Sequence, residues 1–398
     1  MNPLQPLHGL RVLDVTQMLA GPLAATRLGD LGADVIKIEP PSSGEFNRTH
    51  GFGDLTHDGE MTTFQAVNRN KRSLPLNLKD PRGVDAFHQL AKTADVVIQN
   101  FRYGVAERLG IGYEDLKAIN PGIVYCSISG YGPQGRLSSR PGQDLIVQGY
   151  SGSMFSVGVR GEAPVAGALW AADAMTGYQA VIGILAAINQ RRETGHGAHV
   201  DIDMLAVVLD AQLQELVTYL NRGVKPERSQ TPTAHASIPG PYGVYRTSDG
   251  WLTLAMSPLP ALGDMLDDDW LRSLTNYNDG MEKRDDIYRR IENAFVDHPT
   301  NYWIDLADNH GVWAGPVYDY DDLVKEPHTQ DAELFTTQPG HGEKVSTVSV
   351  PIRVNGTRPP ITRSAPRLGA DTVDILQEIG FSEEAIDALI SNGVTRKA

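Results

Sequence analysis

The amino-acid sequence predicts an α/β protein: a parallel sheet wrapped by helices, followed by a smaller α+β domain. Three observations carry this expectation. From residue 10 to about residue 203, short β-rich runs alternate with longer helical ones, the pattern of successive strand–helix–strand units. A stretch at 221–233, rich in Pro, Ser, Thr and Gln, has linker composition. Beyond it the pattern changes to a hairpin and amphipathic helices.

In chain order, the strand candidates are 11–15, 34–38, 95–99, 122–128 and 199–203, each a run in which Val and Ile dominate. Helices are predicted over 22–31, 81–93, 174–191 and 204–220 from apolar residues at helical spacing. In the second domain, 242–246 and 251–255 flank the turn Ser248-Asp249-Gly250, and helices follow around 260–309. A strand at 348–352 and helices at 371–379 and 382–390 complete the expectation.

With 398 residues, of which 41% are hydrophobic, the chain is long enough for two domains with separate cores. Its apolar runs are interrupted before the roughly 20 residues that span a bilayer, and residues 1–6 lack a basic-then-apolar signal pattern, so a cytoplasmic protein is expected. The single cysteine, Cys126, lies in a strand run, which allows no internal disulfide and predicts a buried, inert thiol. A net charge of −14 argues against nonspecific nucleic-acid binding, so an anionic ligand must meet a local basic cluster.

The most informative residue is Asp173, a single carboxylate within the apolar stretch 166–188. Burying an ionised group is costly unless hydrogen bonds, a helix N-terminus or a ligand compensate it. Asp173 directly precedes Tyr178, Val181, Ile182, Leu185 and Ile188, which share a helical face, so it reads as an N-cap, as a working nucleophile, or as both. Other motifs weigh less. Gly130, Gly132 and Gly135 form a Gly-x-Gly-x-x-Gly after a strand, but Pro133 removes a donor amide and no helix opens behind it, which favours a plain Gly-rich loop over a dinucleotide site. His196 and His199 with Asp201 and Asp203 lack the spacing of a metal site. The basic run 68–73 leads into Leu76, Asn77 and Lys79, and Asn100, Phe101, Arg102 and Arg108 follow a strand directly. Together they put cations and a stacking aromatic near sheet C-terminal ends, as a phosphorylated nucleotide requires.

These segments, with Gly9-Leu-Arg-Val-Leu-Asp-Val15, Leu31-Gly-Ala-Asp-Val-Ile-Lys-Ile-Glu-Pro40, Arg140-Pro-Gly-Gln-Asp-Leu-Ile-Val-Gln148, Thr194-Gly-His-Gly197 and Leu368-Gly-Ala-Asp-Thr372, resemble the class III CoA-transferase family, also called CaiB/BaiF, nearly end to end. The resemblance implies a doubly wound, Rossmann-like large domain made from 1–220 and 331–398, a small domain and its linker over 221–330, and a homodimer of two interlocked rings. It implies coenzyme A as co-substrate with no metal, Asp173 as catalytic aspartate, adenine and ribose contacts at Leu76, Asn77 and Lys79, and further CoA contacts at Ala20, Asn100, Phe101, Arg102, Arg108 and Arg140. Leu19 and Pro40 replace a glutamine and an arginine of formyl-CoA transferase. Residues 235–242 stand where that enzyme has a glycine-rich loop, so formyl specificity is not expected.

The resemblance extends to a racemase branch with a histidine in a Gly-His-Asp segment, the alternative activity. This chain has Gly142-Gln143-Asp144, and glutamine is no general base at neutral pH. Reversible CoA transfer from an acyl-CoA to a free carboxylic acid is therefore expected. Asp173 would pass through an acyl anhydride and an aspartyl-CoA thioester, with Gln143 touching the bound acid and amides near Ala20 and Gly21 stabilising oxyanions.

Overall fold

A computed structural model describes residues 5–232 and 234–398. Residues 1–4, part of the stretch read above for a signal pattern, and Thr233, at the end of the predicted linker, lie outside the described residues.

Six parallel strands form the central sheet: β1 (Arg11–Asp14), β2 (Asp34–Glu39), β3 (Lys71–Pro75), β4 (Val96–Gln99), β5 (Val124–Ser129) and β6 (His199–Asp203), in spatial order β3-β2-β1-β4-β5-β6. Register pairs include Val12↔Val35, Val12↔Val96 and Cys126↔Val200. Successive side chains point to opposite faces, so each strand feeds two cores. On one face Leu13, Ile36, Leu74, Val97 and Tyr125 pack with Phe87 and Leu90 of α2 (Pro81–Ala91), and with Ile375 and Leu389 from α5 (Thr372–Glu378) and α6 (Glu383–Ser391). On the other, Val12, Val35, Val96, Val124 and Cys126 meet Ala24 and Leu28 of α1 (Ala20–Asp30) and Ala180, Ile184 and Ile188 of α4 (Ala171–Thr194). Helix α4 is long and apolar enough, by length and composition, to cross a membrane, more than the interrupted apolar runs predicted. Its buried Ala180, Ile184, Ala187 and Ile188 pack into the second core.

The strand β3 was not predicted, because 68–73 reads as a basic cluster facing a ligand. The helix predicted over 204–220 is two helices, Met204–Ala211 and Leu213–Arg222. The strand predicted at 348–352 is displaced: Lys344–Val348 pairs antiparallel with Phe335–Pro339, and Pro351, which lacks a donor amide, lies outside the ladder.

The chain divides into two compact units, one comprising up to Val147, Trp170–Val208 and His328–Ala398, the other Gln148–Leu169 and Leu209–Pro327. Residues 148–169 and 209–220 thus count with the second unit, whereas the sequence reading had grouped them with the large domain. By itself the second unit holds a three-stranded antiparallel sheet of β7 (Gly243–Arg246), β8 (Trp251–Leu254) and β9 (Ala314–Pro316), in the order β9-β8-β7. Tyr245, Leu252, Ile291, Phe295 and Trp303 form its core.

Candidate active site

The strand order reverses between β1 and β4, and ligands of open α/β sheets bind beyond the strand C-termini at such a switch point. A cavity of about 840 Å³ lies there. Its lining comes from the loops after β1 (Val15, Thr16, Gln17), β2 (Pro40, Pro41), β3 (Leu76, Asn77, Lys79) and β4 (Phe101), together with Thr395 and Arg396. A second cavity of about 510 Å³ shares Phe46 with the first and holds Asp173, Asp144, Gln143, Asn47 and His50 among Met18, Leu19, Phe52 and Trp170.

The loop after β1 runs between the two cavities and is held by a buried ionic network. Lys71 on β3 donates to Asp14 Oδ2 at 2.8 Å, Asn68 Oδ1 at 2.8 Å, and the carbonyls of Pro22 and Val67 at 3.0 Å. Asp14 Oδ1 accepts from the Thr16 N–H at 3.0 Å, and Lys37 donates to the Thr16 carbonyl at 2.9 Å. Asn100 clasps Gln17 through both its N–H and its carbonyl, while Glu45 and Asn47 take the N–H and carbonyl of Met18. Met18 has φ +70, a backbone region that L side chains enter at a cost, so these bonds hold a strained turn in place.

Glycines bring the other side of the second cavity close. A Cβ on Gly177, one turn after Asp173, would sit 2.8 Å from the Ala20 carbonyl, so only glycine lets α1 approach α4 this closely. Gly130 and Gly142 touch through their backbones, a Cβ on Gly130 meeting Gly142 Cα at 2.5 Å. That contact explains Gly130 of the glycine motif after β5 as packing, while Gly132 and Gly135 have positive φ, and Gln143 and Asp144 follow Gly142 at the start of α3 (Asp144–Ser151).

Asp173 is not the N-cap of α4. The cap position is Trp170, without a side-chain cap bond, and Asp173 lies in the first turn. The capping acceptor is Asp144, whose Oδ2 takes the Asp173 N–H at 3.1 Å. Burial, and secondarily the charge of Asp144, push the Asp173 carboxyl up to about 6. The helix N-terminus pulls the other way but does not prevail. With that value the group is still roughly nine-tenths ionised at pH 7, and it is more basic than an ordinary carboxylate.

Of the residues predicted for the site, Leu76, Asn77, Lys79 and Phe101 line the larger cavity, and Asp173 and Gln143 share the smaller one. Asn100 acts through Gln17. Ala20 is buried at the start of α1, while Arg102, Arg108 and Arg140 are exposed outside both linings. The basic run 68–73 lines neither cavity: Arg69 pairs with Asp30, Lys71 with Asp14, and Arg72 with Asp34 and Glu378. Sequence reasoning missed the role of Asp144, although it stands beside Gln143, and missed Arg396 altogether. Cys126 is buried and desolvation pushes its thiol well up. His199 stacks on Tyr113 and contacts Ser127 Oγ at 2.8 Å, and no group of three metal-ligating side chains occurs among the described residues.

Residues 7–372 match the family model described as CoA-transferase family III. The chain is 35% identical to succinyl-CoA:glutarate CoA-transferase of Mus musculus over 406 residues, covering 99% of this chain and 91% of that protein. It is 32% identical to acetyl-CoA:oxalate CoA-transferase of Acetobacter aceti, covering 96% of this chain and 98% of that protein. A solved CaiB/BaiF family protein from Brucella suis superposes with a TM-score of 0.84 at 30% identity, covering 95% of this chain and all of the other. A family match over most of the chain, joined to near full-length relatives above 30% identity, makes this chain a member of CoA-transferase family III.

Proposed function

We propose that this enzyme moves CoA reversibly between the thioester of one short dicarboxylic acid and another such acid, with Asp173 as covalent nucleophile. The observation that carries the reading is an ionisable carboxylate, raised to about 6, in a small cavity that adjoins a nucleotide-sized one. Asp173 attacks the thioester carbonyl carbon, the C–S bond breaks, and CoA thiolate leaves an aspartyl-acyl anhydride. The thiolate attacks the aspartyl carbonyl, releasing the donor acid and leaving an aspartyl-CoA thioester. The acceptor carboxylate attacks that carbonyl in turn, expelling thiolate, which then takes the acceptor acyl group and frees Asp173. Each exchange is nearly thermoneutral, so catalysis consists in holding reactants and stabilising successive oxyanions. CoA lies along the larger cavity over Leu76, Asn77, Lys79 and Phe101. Ala20, Asn100, Arg102, Arg108 and Arg140 complete its contacts, and Gln143 meets the acid.

The dicarboxylate class rests on relatives named for glutarate and oxalate. The large domain formed from both ends of the chain, the small central domain, the interlocked homodimer and a cytoplasmic location belong to the same reading, supported by the family likeness. The test supplies purified protein with succinyl-CoA or acetyl-CoA and a panel of labelled carboxylates. Label should enter CoA esters of dicarboxylic acids, and no ester from any acid would overturn the reading.

A further inference from the structure

Arg396 lies beyond the stretch matched by the family model, 7–372, and was no part of the predicted site, yet it lines the larger cavity together with Lys79. Its segment is clamped to the C-terminal end of β3. The Asn77 N–H donates to the Val394 carbonyl at 2.8 Å, Thr395 Oγ1 donates to the Pro75 carbonyl at 2.5 Å, and Thr372 Oγ1 donates to the Arg396 carbonyl at 2.6 Å. Backbone held from both sides presents the side chain from a fixed base.

Among the described residues the guanidinium makes one hydrogen bond, to the Pro41 carbonyl at 3.5 Å, and no carboxylate pairs with it or with Lys79. In a chain of net charge −14, where Arg48, Arg69, Arg72 and Arg191 all sit on carboxylates, Lys79 and Arg396 are two exposed cations without a carboxylate partner on the lining of one cavity, whose Glu39 is already held by Arg48 and which also includes Glu45. Both line the larger cavity with Asn77 and Leu76, and neither lines the smaller one that holds Asp173.

We propose that Arg396, with Lys79, binds the 3′-phosphate of the CoA nucleotide and makes the enzyme discriminate CoA from 3′-dephospho-CoA. The inference rests on the CoA-transferase reading and adds a phosphate ligand to it. A forked guanidinium suits a phosphate dianion, and replacing one such charge-assisted contact weakens binding by about tenfold or more.

Calorimetric titration of the full-length protein with CoA and with 3′-dephospho-CoA tests it without requiring turnover. Wild type should bind CoA about tenfold or more tightly than the dephospho form. Arg396→Gln should lose most of that preference by weakening CoA binding while leaving dephospho-CoA binding nearly as it was, and Arg396→Lys should recover part of it. In kinetics the same loss should fall on KM for the acyl-CoA and not on KM for the acceptor acid. An Arg396→Gln protein that keeps the wild-type preference would overturn the assignment even if transfer is fully confirmed. Failure of carboxylate labelling, with the preference still lost in Arg396→Gln, would overturn the transfer reading and keep the phosphate site.

Discussion

Replacing Asp173 by Asn should abolish CoA transfer and make the protein more stable at neutral pH. The carboxyl is raised to about 6 from an ordinary 3.8 by burial and by Asp144. The folded chain therefore holds its proton more tightly than the unfolded chain. Below about pH 3.8 both states are protonated and the group costs nothing. As pH rises toward 6 the unfolded state ionises first and folding is progressively penalised, and above 6 the penalty is constant. A shift of about two units corresponds to about 3 kcal/mol at pH 7, and to about 1 kcal/mol at pH 4.5, both upper estimates for a partly solvated group. Asn is nearly isosteric and carries no charge, so it removes the penalty. The assay is urea unfolding of both proteins at the two pH values, beside a transfer assay. The variant should be inactive, stabilised at pH 7, and stabilised distinctly less at pH 4.5. A variant less stable than wild type at pH 7, or a gain that does not depend on pH, would refute the view that the fold bears the cost of an ionised Asp173.

Asp144→Asn keeps an acceptor for the Asp173 N–H but removes the neighbouring charge, so the acid limb of the transfer pH profile should move down from about 6; an unmoved limb would mean that Asp144 only caps the helix. Lys71→Met leaves Asp14 with Lys37 alone at 3.7 Å and should cost about 3–5 kcal/mol in denaturant unfolding; a loss below about 1 kcal/mol would show that the buried network is dispensable. The proposed interlocked homodimer should not yield a folded monomer on dilution in analytical ultracentrifugation, and a folded monomer at low concentration would contradict it.

Five of the six sheet strands were legible because each carries its own apolar run, while β3 was not. Its Lys71 and Ser73 are buried only because Asp14, Glu39 and Asp371 arrive from elsewhere in the chain, which local pattern cannot show. The same blindness made 68–73 look like a ligand-facing cluster when its cations face inward. Asp173 was legible as a lone acid in apolar sequence, but its place in the helix was off by one turn because the capping carboxylate, Asp144, lies 29 residues away. Leu76, Asn77 and Lys79 could be recognised by likeness, whereas Arg396 joins them only through the fold.

The central claim, covalent transfer through Asp173, is tested most directly by trapping the enzyme-bound thioester. The protein is incubated with acyl-CoA, treated with hydroxylamine, digested, and the peptide containing Asp173 is weighed. A hydroxamate on Asp173, formed only when acyl-CoA is present and accompanied by loss of activity, is the predicted result. An unmodified peptide from protein that remains active under turnover conditions would contradict the account and point to direct transfer without a covalent intermediate.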